Sequence, residues 1–225
     1  MKMKAVLFDL DGIITDTAGY HFLAWKTLAK KLGMDIDKEF NEQLKGISRL
    51  ESLELILKRG KLENKFNLIE KEELAAEKNE EYKKMIEQMS SADILPGIER
   101  LLNQLNKTKV LIGLASASQN GPIILKKLGL YDLFDTIVNP AQLSAGKPDP
   151  EIFQKAAEQL GCSVSECVGV EDAAAGVESI NSANMVSIAV GDKEVLHAAD
   201  KVIKTTNELT EDLIKTIWTE CFEIN

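Results

Sequence analysis

Short apolar runs that end in polar residues recur along the chain, and this pattern constrains the fold more than any other feature. The longer runs span residues 5–8, 109–115, 167–170 and 185–190, and a shorter one spans residues 136–138. An apolar run without polar alternation is typical of a strand buried on both faces of a parallel sheet. Helical patterns lie between the runs, so the sequence predicts right-handed βαβ units and a doubly wound α/β fold with a parallel sheet.

A helical block interrupts this rhythm directly after the first strand. It shows no strand pattern, and its helical patterns cover residues 20–32, 40–44, 50–58 and 69–89. We therefore predict a helical cap domain of residues 15–92, inserted into an α/β catalytic core of residues 1–14 and 93–225. The chain would enter the cap through residues 15–17 and leave it through residues 90–92.

The charge balance limits the classes of partner. Lys and Arg number 27 and Asp and Glu number 36, which gives a net charge of −9. A nucleic-acid surface needs a basic face, so nucleic acid is not expected as a partner. No apolar run approaches the length of a membrane span, and the three cysteines have no metal-binding spacing. We expect a cytoplasmic monomer that acts on a small molecule.

The first polar cluster, Asp9-Leu10-Asp11-Gly12, follows the first strand. Two carboxylates at a strand end can divide the work of nucleophile and proton carrier. The same tetrapeptide could equally form an Asx turn, which is common where Asp and Gly end a strand.

Two later clusters follow strands in the same way, at Ser116-Ala117-Ser118 and Glu171-Asp172, and a third, Gly146-Lys147-Pro148, lies between them ahead of a helix. A serine with free backbone N–H groups suits a phosphate oxygen, a lysine neutralises phosphate, and paired acids suit Mg²⁺. Each cluster alone has an ordinary structural alternative, such as a turn, a solvated loop or a helix N-terminus. In a parallel sheet, however, the clusters that end strands would meet at the carboxyl edge, where ligands bind.

In this order and placement, the clusters resemble the motifs of the haloacid dehalogenase-like hydrolases and mutases. The resemblance covers essentially the whole chain and implies that Asp9 forms a phosphoaspartate and that Asp11 is the general acid/base. It also implies that Ser116 and Lys147 bind the transferring phosphoryl group. The implied ligands of a Mg²⁺ cofactor are Asp9, Asp11, Glu171 and Asp172.

Several segments, at residues 16–17, 20–21, 25, 44–49, 115–118 and 120–122, resemble those of the hexose phosphomutases of this family. Those enzymes interconvert β-glucose 1-phosphate and glucose 6-phosphate through a bisphosphate. The substrate- or phosphate-binding residues that this resemblance implies are Thr17, His21, Trp25, Lys45, Gly46, Arg49, Lys78, Ser116, Ala117, Asn120 and Lys147. Without the resemblance, His21 would be interpreted as a packed or surface histidine, and Lys78 as part of a solvated helix face.

Two other functions stay open at this point. A sugar-phosphate phosphatase of the same family would use the same four motifs, and a regulatory or binding protein could keep the fold without turnover. Arg49 favours a mutase, because its planar guanidinium suits a second, non-transferring phosphate that a phosphatase has no need to hold.

Overall fold

The fold was analysed in a computed structural model that describes residues 2–44 and 46–223. Its strands are β1 (Ala5–Phe8), β2 (Leu111–Leu114), β3 (Thr136–Ile137), β4 (Cys167–Glu171), β5 (Val186–Val190) and β6 (Lys201–Ile203). Within the described residues these strands form one sheet in the order β3-β2-β1-β4-β5-β6, and every neighbouring pair is parallel. This confirms the predicted parallel sheet.

The first strand, β1, lies inside the sheet, and its sequence is apolar throughout because both of its faces are buried. Ala5 and Leu7 point into one hydrophobic cluster, whereas Val6 and Phe8 point into another on the opposite face. Every residue of β1 is fully buried. Helices therefore cover both faces of the sheet, as a doubly wound fold requires.

The helices follow the predicted order. They are α1 (Ala18–Lys31), α2 (Lys38–Glu42), α3 (Arg49–Arg59), α4 (Leu68–Ile86), α5 (Ile98–Lys107), α6 (Gly121–Leu128), α7 (Glu151–Gln159), α8 (Ala174–Ser182) and α9 (Glu211–Glu223). Short 3₁₀ turns fill several of the connections. Pro150 is the residue before α7, where a missing N–H costs nothing.

Helices α1 to α4 have a hydrophobic core of their own. Trp25 and Leu28 of α1 pack in it with Leu53 and Ile56 of α3 and Ala75 of α4. Both α3 and α4 begin at a capping box, in which the first turn exchanges hydrogen bonds with the residue before the helix. The division of the chain into a cap of residues 15–92 and a core stays a prediction, with which this separate cluster agrees.

The two segments that join this helical block to the sheet lie side by side. The hydroxyl of Thr15 donates to the carbonyl oxygen of Asp93 at 2.7 Å, and the N–H of Leu95 donates to the carbonyl of Ile14 at 2.9 Å. Thr15 is fully buried. The chain thus enters and leaves the helical block at one place, and the predicted exit at residues 90–92 lies directly before these contacts.

Two elements were not predicted from the sequence. Strand β6 is only three residues long and begins with Lys201, so it lacks an apolar run. Helix α9 carries the buried Ile214, Ile217 and Trp218 at helical spacing, a pattern that the sequence analysis overlooked. Among the described residues, no helix combines the length and apolar character needed to cross a membrane.

Candidate active site

The carboxyl ends of β1 and β4 bring the acidic residues together. Phe8 is in register with Val170, so Asp9 and Glu171 extend from adjacent strands at the same edge. Asp9, Glu171 and Asp172 each place a carboxylate oxygen within 4.8 Å of the others. Asp9 and Glu171 are buried, with exposures of 4% and 0%. Oxygen ligands at this spacing are the kind that hard divalent cations prefer.

Lys147 forms ion pairs with two of these carboxylates. Its Nζ lies 2.6 Å from Oδ1 of Asp9 and 2.6 Å from Oε1 of Glu171, and its side chain is fully buried. The loop that carries Lys147 is fastened to α8, because the hydroxyl of Ser179 donates to the carbonyl of Asp149 at 2.6 Å. Although burial alone would lower it, the pKa of Lys147 is raised by the charges of Asp9 and Glu171.

The two buried carboxylates of this cluster are not balanced in charge. Asp9 and Glu171 together with the ammonium group of Lys147 carry a formal charge of −1, which a bound cation would offset. Burial is the main cause that raises the pKa of Asp9 to about 7, and the attraction of Lys147 only partly opposes it. Because one ammonium cannot compensate two buried carboxylates, the cluster favours a bound cation or a bound proton.

Asp11 makes its side-chain contacts with the helical block. The Thr17 hydroxyl donates to its Oδ1, and the Tyr82 hydroxyl in turn donates to Thr17 at 3.0 Å. Burial raises the pKa of Asp11 to about 6, while the hydrogen bond from Thr17 holds it down. A carboxyl with a pKa near neutrality suits proton transfer. Its carboxylate lies outside the group of three acids, so the metal-ligand role assigned to Asp11 stays a prediction.

His21 and Lys78 continue this network from the helical block. Nζ of Lys78 lies 2.7 Å from Nδ1 of His21, and Nε2 of His21 lies 3.7 Å from Oδ2 of Asp11. An ammonium group only donates, so with Lys78 charged Nδ1 accepts and the His21 proton sits on Nε2, facing Asp11. Burial and the charge of Lys78 lower the pKa of His21, and burial lowers that of Lys78 to about 7.

A cavity of about 620 Å³ lies between the helical block and the sheet edge. The predicted residues that line it are Asp9, Asp11, His21, Trp25, Gly46, Arg49, Lys78, Ser116, Ala117, Asn120 and Asp172. Thr17, Lys147 and Glu171 support this wall through the contacts given above. Lys45, also predicted, lies outside the described residues.

The two walls of the cavity touch each other. Nδ2 of Asn120, at the start of α6, donates to Oδ1 of Asn79 in α4 at 2.9 Å. Gly46 has a φ of +74° and leaves no free space above Ala173, since a Cβ at residue 46 would lie 3.1 Å from the Ala173 Cβ. The structure therefore shows the helical block seated on the sheet edge.

The comparisons with known proteins agree with this geometry. The family model described as haloacid dehalogenase-like hydrolase matches residues 3–184. The chain belongs to the haloacid dehalogenase-like hydrolase family.

Relatives within the haloacid dehalogenase-like family include mutases and phosphatases. The chain is 49% identical to the β-phosphoglucomutase of Bacillus subtilis (strain 168) over 216 residues, which is 96% of each protein. The crystal structure of β-phosphoglucomutase from Clostridium difficile matches with a TM-score of 0.97 at 47% identity, covering 99% of this chain and 100% of that one. A phosphorylated carbohydrates phosphatase of Thermotoga maritima is more distant, at 29% identity over 83% of this chain and 84% of its own.

Some residues of this haloacid dehalogenase-like site were missed by the sequence analysis. Tyr82 and Asn79 both contact predicted residues, Tyr82 through Thr17 and Asn79 through Asn120. The available signal was helical spacing, because Tyr82 lies four residues after Lys78 on the same face of α4. Asn41 and Ser52 also line the cavity, and no motif pointed to either.

Proposed function

We propose that the chain is a phosphomutase that interconverts β-D-glucose 1-phosphate and D-glucose 6-phosphate through glucose 1,6-bisphosphate. Relatives named β-phosphoglucomutase share almost half of its residues over nearly the whole length. The single observation that carries the proposal in the structure is Arg49, which lines the cavity that contains Asp9. Residues 15–92 would act as the cap, and the substrate would be a small sugar phosphate.

Asp9 is the proposed nucleophile. One of its carboxylate oxygens attacks phosphorus, the bond from phosphorus to the sugar oxygen breaks, and a phosphoaspartate forms. Lys147, at 2.6 Å from Oδ1, and the backbone N–H of Asp11, at 3.0 Å from Oδ2, fix the orientation of the carboxylate. Ser116, buried at the end of β2 and lining the cavity, is placed to donate to the transferring phosphoryl group.

Asp11 is the proposed general acid/base. It gives a proton to the sugar oxygen that leaves phosphorus, and in the reverse step it removes a proton from the hydroxyl that attacks the phosphoaspartate. Its hydrogen bond from Thr17 ties it to the segment where the chain enters the helical block. The Nε2–H of His21, 3.7 Å away, can approach Asp11 with only a small shift.

Mg²⁺ fits the three acids at the sheet edge. Their oxygen donors, and the formal charge of −1 that Asp9 and Glu171 keep beside Lys147, match a hard divalent cation. Asp9, Glu171 and Asp172 would hold the ion, with Glu171 fixed by hydrogen bonds from the N–H groups of Asp172 and Ala173. When bound, Mg²⁺ screens the charge of the phosphoryl group.

Arg49 distinguishes a mutase from a phosphatase. Its side chain is half-buried, and it makes no hydrogen bond or ion pair with any described residue. Burial lowers its pKa, and the charge of Glu80 opposes this shift without forming an ion pair. A guanidinium with no hydrogen-bonded partner in the wall of a phosphate-transfer cavity favours a second anion, such as the non-transferring phosphate of a sugar bisphosphate.

The helical block would protect the phosphoaspartate from water. Its contacts with the sheet edge, through Asn79 and Gly46, hold it beside the cavity that Asp9 lines. An aspartyl phosphate exposed to water hydrolyses, whereas one enclosed with a sugar can return its phosphoryl group to a hydroxyl. Closure over the substrate thus favours a mutase outcome.

The products of one reaction test this function. The enzyme is given β-glucose 1-phosphate with Mg²⁺ and a trace of glucose 1,6-bisphosphate, and glucose 6-phosphate is measured against inorganic phosphate. We expect glucose 6-phosphate to dominate. Arg49→Ala should reduce its formation by about 100-fold, the value of a charge-assisted contact to phosphate, and should affect hydrolysis of acetyl phosphate much less. Inorganic phosphate as the main product would instead support a phosphatase.

A further inference from the structure

Asn41 is a buried polar residue with no role in the chemistry described above. It lies in α2, is 8% exposed and lines the cavity. Its backbone N–H and carbonyl are used within the local turn, through Asp37 and Leu44. Its side-chain amide makes no hydrogen bond with any residue in the described part of the chain.

This separates Asn41 from the other buried polar side chains that the structure describes. Each of these makes a hydrogen bond or an ion pair, and the comparison with Asn79 is the most direct. Asn79 is also an asparagine, is also 8% exposed, and accepts a hydrogen bond from Asn120. Among the described residues, the fully buried side-chain oxygen without a hydrogen-bond partner belongs to Glu211, so the amide of Asn41 is not sealed in the protein but opens into the cavity. A polar group at a cavity wall that has no partner in the protein is free to bind a ligand.

The surroundings of Asn41 narrow the chemistry of that ligand. Trp25, Leu44 and Ala75 of the same helical block also line the cavity and are apolar. Ligand sites place a few polar groups in such walls to fix the orientation of the ligand. A neutral carboxamide both donates and accepts, as a hydroxyl does, whereas the phosphate groups have Lys147 and Arg49.

We propose that the Asn41 amide forms a hydrogen bond with a hydroxyl group of the sugar and makes the enzyme selective for sugars that carry it. This inference rests on the proposed function, because it requires a sugar phosphate as substrate. Asn41 is thus a specificity-determining residue on the helical wall, opposite the phosphoryl-transfer groups. The sugar reverses its orientation between the two half-reactions. The contact with Asn41 involves a hydroxyl of the sugar and not its phosphate groups.

The test compares Asn41→Leu with Asn79→Leu, in which an equally buried asparagine loses a partner. For each variant, the midpoint of thermal unfolding is measured, together with kcat/KM for β-glucose 1-phosphate and for its monodeoxy analogues. Asn41→Leu should unfold at the wild-type temperature or above it, since leucine fills a similar volume without a polar group to bury. Asn79→Leu should unfold at a lower temperature, because Asn120 loses its partner.

The activity of Asn41→Leu should change in a selective way. We expect kcat/KM for β-glucose 1-phosphate to fall about tenfold, the effect of one hydrogen bond, and to fall little for the one deoxy analogue that lacks the contacted hydroxyl. An equal loss on all analogues, or a loss of stability as large as that of Asn79→Leu, would overturn the proposal. If the wild type releases inorganic phosphate instead of glucose 6-phosphate, the mutase function fails, but the deoxy comparison still tests Asn41.

Discussion

Gly12 lies directly against the carboxylate of Asp172. The cluster that follows β1 and the pair of acids that ends β4 therefore touch each other. A Cβ at residue 12 would overlap the Asp172 side chain, and the backbone at Gly12 has a φ of +75°, which glycine adopts most readily. The identity of residue 12 therefore controls how closely the acids at the ends of β1 and β4 can approach one another.

Replacing Gly12 should weaken the metal site. We expect Gly12→Ala to displace Asp172 and to reduce Mg²⁺ affinity by about tenfold or more, as measured by titration of the enzyme with Mg²⁺. Gly129→Ala is the matched control, because Gly129 has a φ of +74° and no atom within 4 Å of its Cβ position. That control should lose about 1 kcal/mol of stability and keep its Mg²⁺ affinity. Equal Mg²⁺ affinity in both variants would contradict this interpretation.

Stabilisation by Mg²⁺ should depend on pH. The pKa of Asp9 is raised to about 7 in the folded chain, mainly by burial. A carboxyl whose pKa is higher in the folded chain than in the unfolded chain binds its proton more tightly when folded. The folded state therefore loses stability as the pH rises from about 4 to about 7, by at most about 1.4 kcal/mol per pH unit. Mg²⁺ competes with that proton, so the rise in unfolding temperature that Mg²⁺ produces should be larger at pH 8 than at pH 5.

Two variants check the origin of this pH dependence. Asp9→Asn removes the titrating group and a ligand, so both the Mg²⁺ effect and its pH dependence should shrink. Asp132→Asn changes an exposed acid outside the cluster and should behave like the wild type. A Mg²⁺ effect that is independent of pH in the wild type would show that Asp9 does not titrate in this range.

Thr17 should set the pH at which proton transfer becomes effective. Its hydroxyl donates to Asp11 and holds down a pKa that burial raises to about 6. Thr17→Val removes that hydrogen bond, so the pKa of Asp11 should rise by about one unit. The inflection assigned to Asp11 in a plot of kcat/KM against pH should move to higher pH by the same amount. An unchanged inflection, or one at lower pH, would mean that another group controls the reaction.

The sheet and its carboxyl edge could be predicted because their signals are local. Each strand near the site is a continuous apolar run, and each run ends in the side chains that the chemistry uses, as at Phe8 and Asp9. Parallel pairing then places those ends together without further information. Strand β6 was not predicted, because a three-residue edge strand that begins with a lysine carries no such signal.

The helical wall of the site could be predicted only in part. The hydrogen bonds of Tyr82 to Thr17 and of Asn120 to Asn79 join residues 65 and 41 positions apart, and no spacing rule relates them. The direction in which Asp11 points is likewise set by Thr17 and His21, not by its motif. These contacts depend on tertiary packing between distant segments, whereas each apolar run can be recognised from its own residues.

The most direct test of the account follows one phosphoryl group. Enzyme is phosphorylated with radiolabelled glucose 1,6-bisphosphate and Mg²⁺, then mixed rapidly with excess unlabelled β-glucose 1-phosphate and quenched. We predict that label bound at Asp9, and absent from Asp9→Asn, passes mainly to sugar phosphates. Label that appears mainly as inorganic phosphate, or no label on the wild-type protein, would contradict a mutase that works through Asp9.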